Sequence, residues 1–149
     1  SDYPGQGELR LLIPSLRQLT QDQQYVALIN PVWIPYAPAL TSAGVDLSYV
    51  ICIGPLDKAD HLWTLEQVLR SGHCRAVLAW PDRDLSTKEL RRLQLAAEAG
   101  KSSGFLFRSS QMKQQNSPAA LRVLIKPPHQ LDVIKCRGRY FGRPLQLRA

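Results

Sequence analysis

The residues best placed to bind a phosphate are Gly5 and Gly7, which form a glycine-rich turn just before an amphipathic segment. Such a turn at a helix start binds phosphate through free backbone amides and the helix dipole. A working phosphate loop continues with Gly-Lys-Ser/Thr, in which the lysine contacts phosphate and the hydroxyl binds magnesium. Here Glu8 and Leu9 follow Gly7, so both functions are missing. We interpret Gly5, Gly7 and Glu8 as a degenerate phosphate loop and expect no nucleotide cofactor.

No other group of residues forms a catalytic pattern. Ser86 begins a Ser-x-x-Glu pattern, which is the signature of a helix capping box. This pattern favours a capping role for Ser86 over a role as a nucleophile. Asp82 and Asp84 flank Arg83, and no histidine or cysteine lies nearby in sequence to support acid–base chemistry. The histidines and cysteines show no metal-ligand spacing. We therefore predict that the protein is not an enzyme and holds no metal.

A proline-rich stretch at 31–38 is the first candidate for binding a partner. Trp33, Ile34 and Tyr36 form an aromatic and aliphatic cluster there, and Leu40 follows in a short predicted helix. Exposed aromatic residues on loops are typical interface anchors, and proline rigidity lowers the entropy cost of binding. The alternative is that these side chains fold back over the edge of the sheet as part of the core.

The second candidate is the basic C-terminal region. Residues 1–100 carry a net charge of −2, whereas residues 101–149 carry +9. Lys135, Arg137, Arg139 and Arg143 are interleaved with aromatic residues and glycines, which suits weak contact with DNA or binding to an acidic partner. The alternative is a solvated basic tail.

The elements that position these residues alternate between helix and strand over 1–108. Helices are predicted at 8–20, 60–71 and 86–99, with a further short helix that follows the proline-rich stretch and ends at Ala43. Strands are predicted at 25–29, 49–53, 76–80 and 104–107. We expect Asp60 to be the N-cap of the third helix, and Gly72 and Gly100 to end the last two helices. This alternation predicts a parallel sheet covered by helices.

The pattern changes after residue 108. Two strands at 121–125 and 131–135, joined by five residues, predict an antiparallel hairpin, with a short strand at 145–147. We therefore expect one domain, 1–149, made of an α/β core (1–108) and a basic hairpin extension (109–149). An exposed edge strand of that hairpin could pair two copies into a homodimer.

Composition limits the class of protein further. The chain has 149 residues, 44% of them hydrophobic, which suits a globular domain. Its longest apolar runs are four or five residues, so no membrane span and no secretory signal are expected. An odd number of cysteines in apolar surroundings favours the reducing cytoplasm.

Six segments in order resemble the SulA/ImuA family of bacterial DNA-damage proteins, which have RecA-like folds without a working nucleotide site. Each is a framework pattern of helices and strands: residues 4–12, 34–40, 62–72, 76–81, 90–100 and 117–122. The resemblance implies a RecA-like, mainly parallel sheet flanked by helices.

That family contains two functions. ImuA-type members act in damage-induced translesion mutagenesis with RecA and ImuB, and SulA-type members bind the tubulin-like FtsZ and stop its polymerisation. The Gly-Glu-Leu-Arg-Leu-Leu opening and the extension past Arg108 resemble ImuA, although Cys136 stands where the ImuA tail usually has arginine. Residues 13–50 align with the SulA segment implicated in FtsZ contact, where Ala39 replaces the tryptophan of some SulA proteins. We expect an ImuA-type adaptor in the SOS response, with a SulA-type division inhibitor as the alternative.

Overall fold

The computed structural model describes residues 8–31, 37–108, 121–126, 130–136 and 145–146. Helices and strands alternate up to residue 106, as the sequence predicts. The elements are α1 (Glu8–Gln21), β1 (Tyr25–Ile29), α2 (Ala37–Ser42), a 3-10 turn (Leu47–Tyr49), β2 (Val50–Ile53), α3 (Lys58–Ser71), β3 (Cys74–Ala79), α4 (Thr87–Gly100), β4 (Ser103–Leu106), β5 (Leu121–Lys126), β6 (Gln130–Cys136) and β7 (Leu145–Gln146).

Four parallel strands form the main sheet in the order β2-β1-β3-β4. The two central strands are continuous apolar runs, and Val26–Ile29 and Ala76–Ala79 are buried throughout. Such runs are typical of parallel strands that are covered on both faces. The predicted α/β fold with a parallel sheet is therefore confirmed.

Two helical layers cover the sheet, and the alternation of side chains along β1 shows both. Ala27 and Ile29 belong to the core formed with α3 and α4, whereas Val26 and Leu28 belong to the core formed with α1 and α2. Because successive strand residues point to opposite faces, each run of β1 and β3 supplies both cores.

The three C-terminal strands form a second, antiparallel sheet in the order β5-β6-β7. This confirms the predicted hairpin, with Lys126 paired to Gln130 next to the connection. None of the described helices is long and apolar enough to cross a membrane.

The ends of α3 correct one prediction and confirm another. The helix begins at Lys58, and Asp57 is the extended N-cap residue, so the prediction of Asp60 as N-cap is wrong. Asp60 lies instead in the first turn, where its charge favours the helix dipole. Gly72 ends the helix in the left-handed conformation, as predicted.

The ends of α4 likewise confirm one prediction and correct another. The capping box is present: the Ser86 side chain accepts from the backbone N–H of Glu89, whose carboxylate accepts from the backbone N–H of Ser86. The prediction that Gly100 ends the helix is wrong, since it is the last helical residue and Lys101 adopts the left-handed conformation. Gly100 is needed for close packing, because a Cβ there would lie 1.9 Å from the carbonyl oxygen of Leu69.

Candidate interaction surface

The predicted binding loop connects β1 to α2. Trp33, Ile34 and Tyr36 lie outside the described residues. The residue before the loop is fixed: Asn30 has a left-handed backbone, its N–H donates to the carbonyl of Ile53 (2.7 Å), and its side-chain oxygen accepts from the N–H of Leu56 (3.4 Å). The loop therefore leaves β1 at the carboxyl end of the sheet, beside the end of β2.

Leu40, on α2, is part of the core. Only 7% of it is exposed, and it belongs to the same buried cluster as Leu16 of α1 and Val45. This burial leaves almost none of the side chain for a partner, so its role is to anchor α2. The exposed positions of α2 before it are 37–39.

An apolar patch that the sequence reasoning missed lies beside this segment. We call Tyr25, Tyr49 and Ile51 the tyrosine patch. Tyr25 is 43% exposed and Ile51 40%, and the two tyrosine rings lie 5.2 Å apart at 56°. Val26 pairs with Val50 in the parallel register, which brings the two tyrosines together at the amino ends of β1 and β2. Exposed aromatic and aliphatic side chains grouped in this way are typical of interaction surfaces.

Ile51 lies on β2, an edge strand of the main sheet, whereas Tyr25 begins β1 and Tyr49 ends the 3-10 turn. Strand β2 is half-buried at both ends and exposed at Ile51 and Cys52 between them. The sequence suggested a strand here and offered no sign of this exposure, because Ile and Cys are usually buried. The usable signal was a tyrosine at the start of each strand, since tyrosine combines an apolar ring with a polar tip.

The end of α1 holds the segment that leads into the patch. Thr20 is fully buried, and its hydroxyl donates to the carbonyl of Leu16 (2.8 Å) and accepts from the N–H of Asp46 (3.0 Å). Asp46 in turn caps the 3-10 turn by accepting from the N–H of Ser48 (3.0 Å). These bonds fix the turn that contains Tyr49.

The structure brings one histidine close to a carboxylate that looked isolated in the sequence. His61 Nδ1 lies 3.8 Å from Asp82 Oδ1, which is too long for a hydrogen bond. Burial lowers the pKa of His61, although the nearby Asp82 opposes this shift. His61 is 4% exposed, and its Nε2 has no hydrogen-bond partner among the described residues. A neutral imidazole closed off from solvent is poorly placed to act as a catalytic base.

The other predicted site residues lie partly or wholly outside the described regions. Gly5 and Gly7 precede α1, which begins at Glu8, and no described strand comes before that helix. Lys135 lies in β6, while Arg137, Arg139 and Arg143 follow it outside the described residues. Within the described ranges, no three His, Cys, Asp or Glu residues are grouped so as to hold a metal ion.

A four-stranded parallel sheet between two helical layers, with an exposed apolar patch at one edge, defines an α/β domain. Comparison with known proteins gives the family. The protein-family model described as "Cell division inhibitor SulA" matches residues 1–104, so the chain belongs to the SulA family.

Individual relatives agree with this assignment. The chain is 33% identical to the cell division inhibitor SulA of Klebsiella aerogenes over 72% of its own length and 63% of that protein. It is 33% identical to SulA of Cronobacter sakazakii over 82% of its own length and 73% of that protein. It thus spans less than two thirds of the Klebsiella relative. The crystal structure of SulA from Pseudomonas aeruginosa is similar with a TM-score of 0.59 and 28% identity, covering 72% of this chain and 92% of that one.

These findings overturn the expectation of an ImuA-type translesion adaptor. The family model, the curated relatives and the solved structure are all SulA. RecA and ImuB as partners, DNA contact, a homodimer and a RecA-like designation find no support among them. The error has a physical reason: the segments that carried the resemblance are framework helices and buried strands, whose patterns report packing and not the partner.

Proposed function

We propose that this chain is a cell-division inhibitor that binds FtsZ and blocks its polymerisation. The match of the SulA family model to residues 1–104 carries this proposal. The protein acts in the cytoplasm as part of the response to DNA damage, by binding and without catalytic turnover.

The tyrosine patch and the loop at 32–36 form the FtsZ contact in this proposal. The sequence resemblance aligns residues 13–50 with the SulA segment implicated in FtsZ contact. That range contains the loop, Tyr25 and Tyr49, and Ile51 follows it directly. The exposure of Tyr25 and Ile51 supports it, because apolar side chains that are open to solvent gain most from being covered by a partner.

An inhibitor that sequesters FtsZ subunits in this way must be present in amounts comparable to FtsZ. Each inhibitor molecule removes one FtsZ subunit from the pool that can polymerise, so the effect depends on the ratio of the two proteins. The fraction of FtsZ left unpolymerised should rise in proportion to added inhibitor until the two are equimolar. An enzyme would instead act at a small fraction of that amount.

Sedimentation of FtsZ from the same organism with GTP tests the function. We expect FtsZ to remain in the supernatant with an equimolar amount of this protein and to pellet without it. If FtsZ pellets normally in both cases, the proposed function is wrong.

A matched pair of variants tests the surface. Ile51→Asp places a charge in the apolar patch, so it should abolish inhibition by forcing a carboxylate into the contact. Leu95→Asp is the control: Leu95 is 50% exposed on α4, which packs against β4 at the opposite edge of the sheet. Circular dichroism confirms that both variants fold. If Ile51→Asp inhibits FtsZ as well as Leu95→Asp and the unmodified protein do, the patch is not part of the contact, although the proposed function still stands.

A further inference from the structure

Among the described residues, three that are not glycine have a left-handed backbone: Gln23 (φ 61°), Asn30 (φ 54°) and Lys101 (φ 54°). Such residues are uncommon, because a Cβ crowds the following carbonyl oxygen in this conformation. Gln23 and Lys101 each follow a helix, α1 and α4, and a left-handed residue commonly ends a helix. Asn30 follows strand β1 instead, so a helix end does not explain its conformation.

The connection between β2 and α3 holds Asn30 in this conformation. The backbone N–H of Asn30 donates to the carbonyl of Ile53 at 2.7 Å, and its side-chain oxygen accepts a longer bond from the N–H of Leu56 at 3.4 Å. A Cβ on Gly54 would lie 3.2 Å from Asn30 Cα and 3.3 Å from Asn30 Oδ1, so the two segments pack closely. A strained backbone conformation persists where the surrounding structure fixes it in this way.

The local sequence does not by itself favour the left-handed conformation at Asn30. Pro31 follows, and a proline favours an extended conformation in the residue before it. Asparagine is among the residue types that tolerate a positive φ best after glycine. The left-handed conformation is therefore imposed by tertiary contacts, at a residue type that can accept it.

The residue lies at the start of the predicted binding loop. Residues 32–36 join Pro31 to α2, and Leu40 anchors α2 in the core that contains Leu16 of α1. The chain is therefore fixed on both sides of the loop, by Asn30 before it and by Leu40 after it. Over a connection this short, the backbone angle at its first fixed residue sets the direction in which the chain leaves the sheet.

We propose that Asn30 is a positioning residue for the FtsZ contact: its left-handed backbone directs Trp33 and Tyr36 towards the partner, which Asn30 itself does not touch. This inference rests on the proposed function. A loop that is already directed correctly loses less entropy when its partner binds. Conversely, the affinity falls in proportion to the fraction of molecules in which the loop is directed correctly.

Two substitutions at Asn30 isolate the effect of its backbone conformation. Asn30→Ala and Asn30→Gly both remove the side-chain amide, but only glycine adopts a positive φ without steric cost. We expect Asn30→Ala to bind FtsZ about tenfold more weakly than Asn30→Gly, which is the scale of the cost that a Cβ brings to a left-handed residue. The affinity is measured by fluorescence anisotropy, with fluorescein-labelled FtsZ from the same organism kept unpolymerised in GDP.

Lys101 supplies the matched control. It has the same φ as Asn30, but it lies before the amino end of β4, whereas Asn30 follows the carboxyl end of β1. Lys101→Ala should melt at a lower temperature than Lys101→Gly, for the same steric reason as at Asn30. Both Lys101 variants should bind FtsZ as tightly as the unmodified protein. Thermal melts of all four variants identify a temperature at which each is folded, and the affinities are compared there.

Two results would overturn the inference and leave the proposed function intact. If Asn30→Ala binds FtsZ as tightly as Asn30→Gly, the left-handed backbone does not direct the contact. If Lys101→Ala loses as much affinity as Asn30→Ala, the loss reflects stability and not the position of the loop. If the unmodified protein does not bind FtsZ, the proposed function fails and this inference fails with it.

Discussion

Replacing Gly100 with alanine should destabilise the protein even though alanine is the better helix former. A Cβ at this position would lie 1.9 Å from the carbonyl oxygen of Leu69 and 2.9 Å from that of Arg70, whereas real Cβ atoms essentially never come within 3.0 Å of a neighbour. The Leu69 carbonyl is also held by the Ser102 hydroxyl, 3.0 Å away, which bonds the carbonyl of Cys74 at 2.9 Å as well. The end of α3 therefore cannot retreat without breaking these bonds.

The size of the effect follows from two opposing contributions. Separating α4 from α3 by the required ångström or so is an overpacking change, which typically costs about 1–3 kcal/mol and more where backbone must move. The higher helix propensity of alanine returns up to about 1 kcal/mol. We expect a net loss of about 2 kcal/mol, or a melting temperature lower by about 4–8 °C for a chain of this size.

Urea unfolding followed by circular dichroism measures this loss. Ala99→Gly is the matched control, because Ala99 is exposed and precedes Gly100 in the same helix, so it reports propensity alone. That control should lose about 1 kcal/mol or less. A Gly100→Ala protein as stable as the unmodified one would show that α3 and α4 do not approach as closely as described.

Two further predictions concern a surface pair and the binding loop. Hydrogen bonds from Arg83 and then from the Ser86 amide lower the pKa of Glu89 from 4.5 to about 2, so its stabilisation is complete above about pH 4.5 and is lost as pH falls towards 2. The unmodified protein should exceed Glu89→Gln in unfolding free energy by about 1 kcal/mol at pH 7 and by almost nothing at pH 2, since the pair lies near the surface; a gap that does not change with pH would contradict this. Under the proposed function, Trp33→Ala or Tyr36→Ala should weaken FtsZ binding in a pull-down while the urea midpoint stays the same, and a clearly lower midpoint would instead assign these side chains to the core.

Much of the fold could be predicted because local patterns and tertiary packing agree. The strand from Tyr25 to Ile29 has the predicted bounds, and Ser86 with Glu89 forms the predicted capping box. Both depend only on neighbouring residues. Gly100 shows where local reasoning fails, since a glycine at a helix end usually adopts a positive φ, but this one is required by a second helix distant in sequence.

The interaction surface was harder to predict for a related reason. The exposure of Ile51 and Trp63 depends on how far the helices extend over the sheet, which residue type and spacing do not report. Leu40 shows the opposite case: proximity in sequence groups it with the loop aromatics, yet it packs in the same buried cluster as Leu16 and Val45. ImuA-type and SulA-type proteins differ in the partners that they contact. Framework residues determine how the helices and strands pack, so their pattern does not distinguish the two types.

The hydroxyl of Thr20 has a consequence for the genetics of this protein. It accepts the N–H of Asp46, and so it ties α1 to the turn that carries Tyr49, although it is fully buried and can touch no partner. Valine has nearly the same shape but would leave that N–H unpaired, while serine would keep the bond. Under the proposed function, a selection for mutants that no longer arrest division would therefore recover substitutions at Thr20 alongside those on the tyrosine patch. Inactivating substitutions would therefore occur at buried positions as well as at the residues that contact the partner. Among replacements of Thr20, serine would be the one that keeps activity.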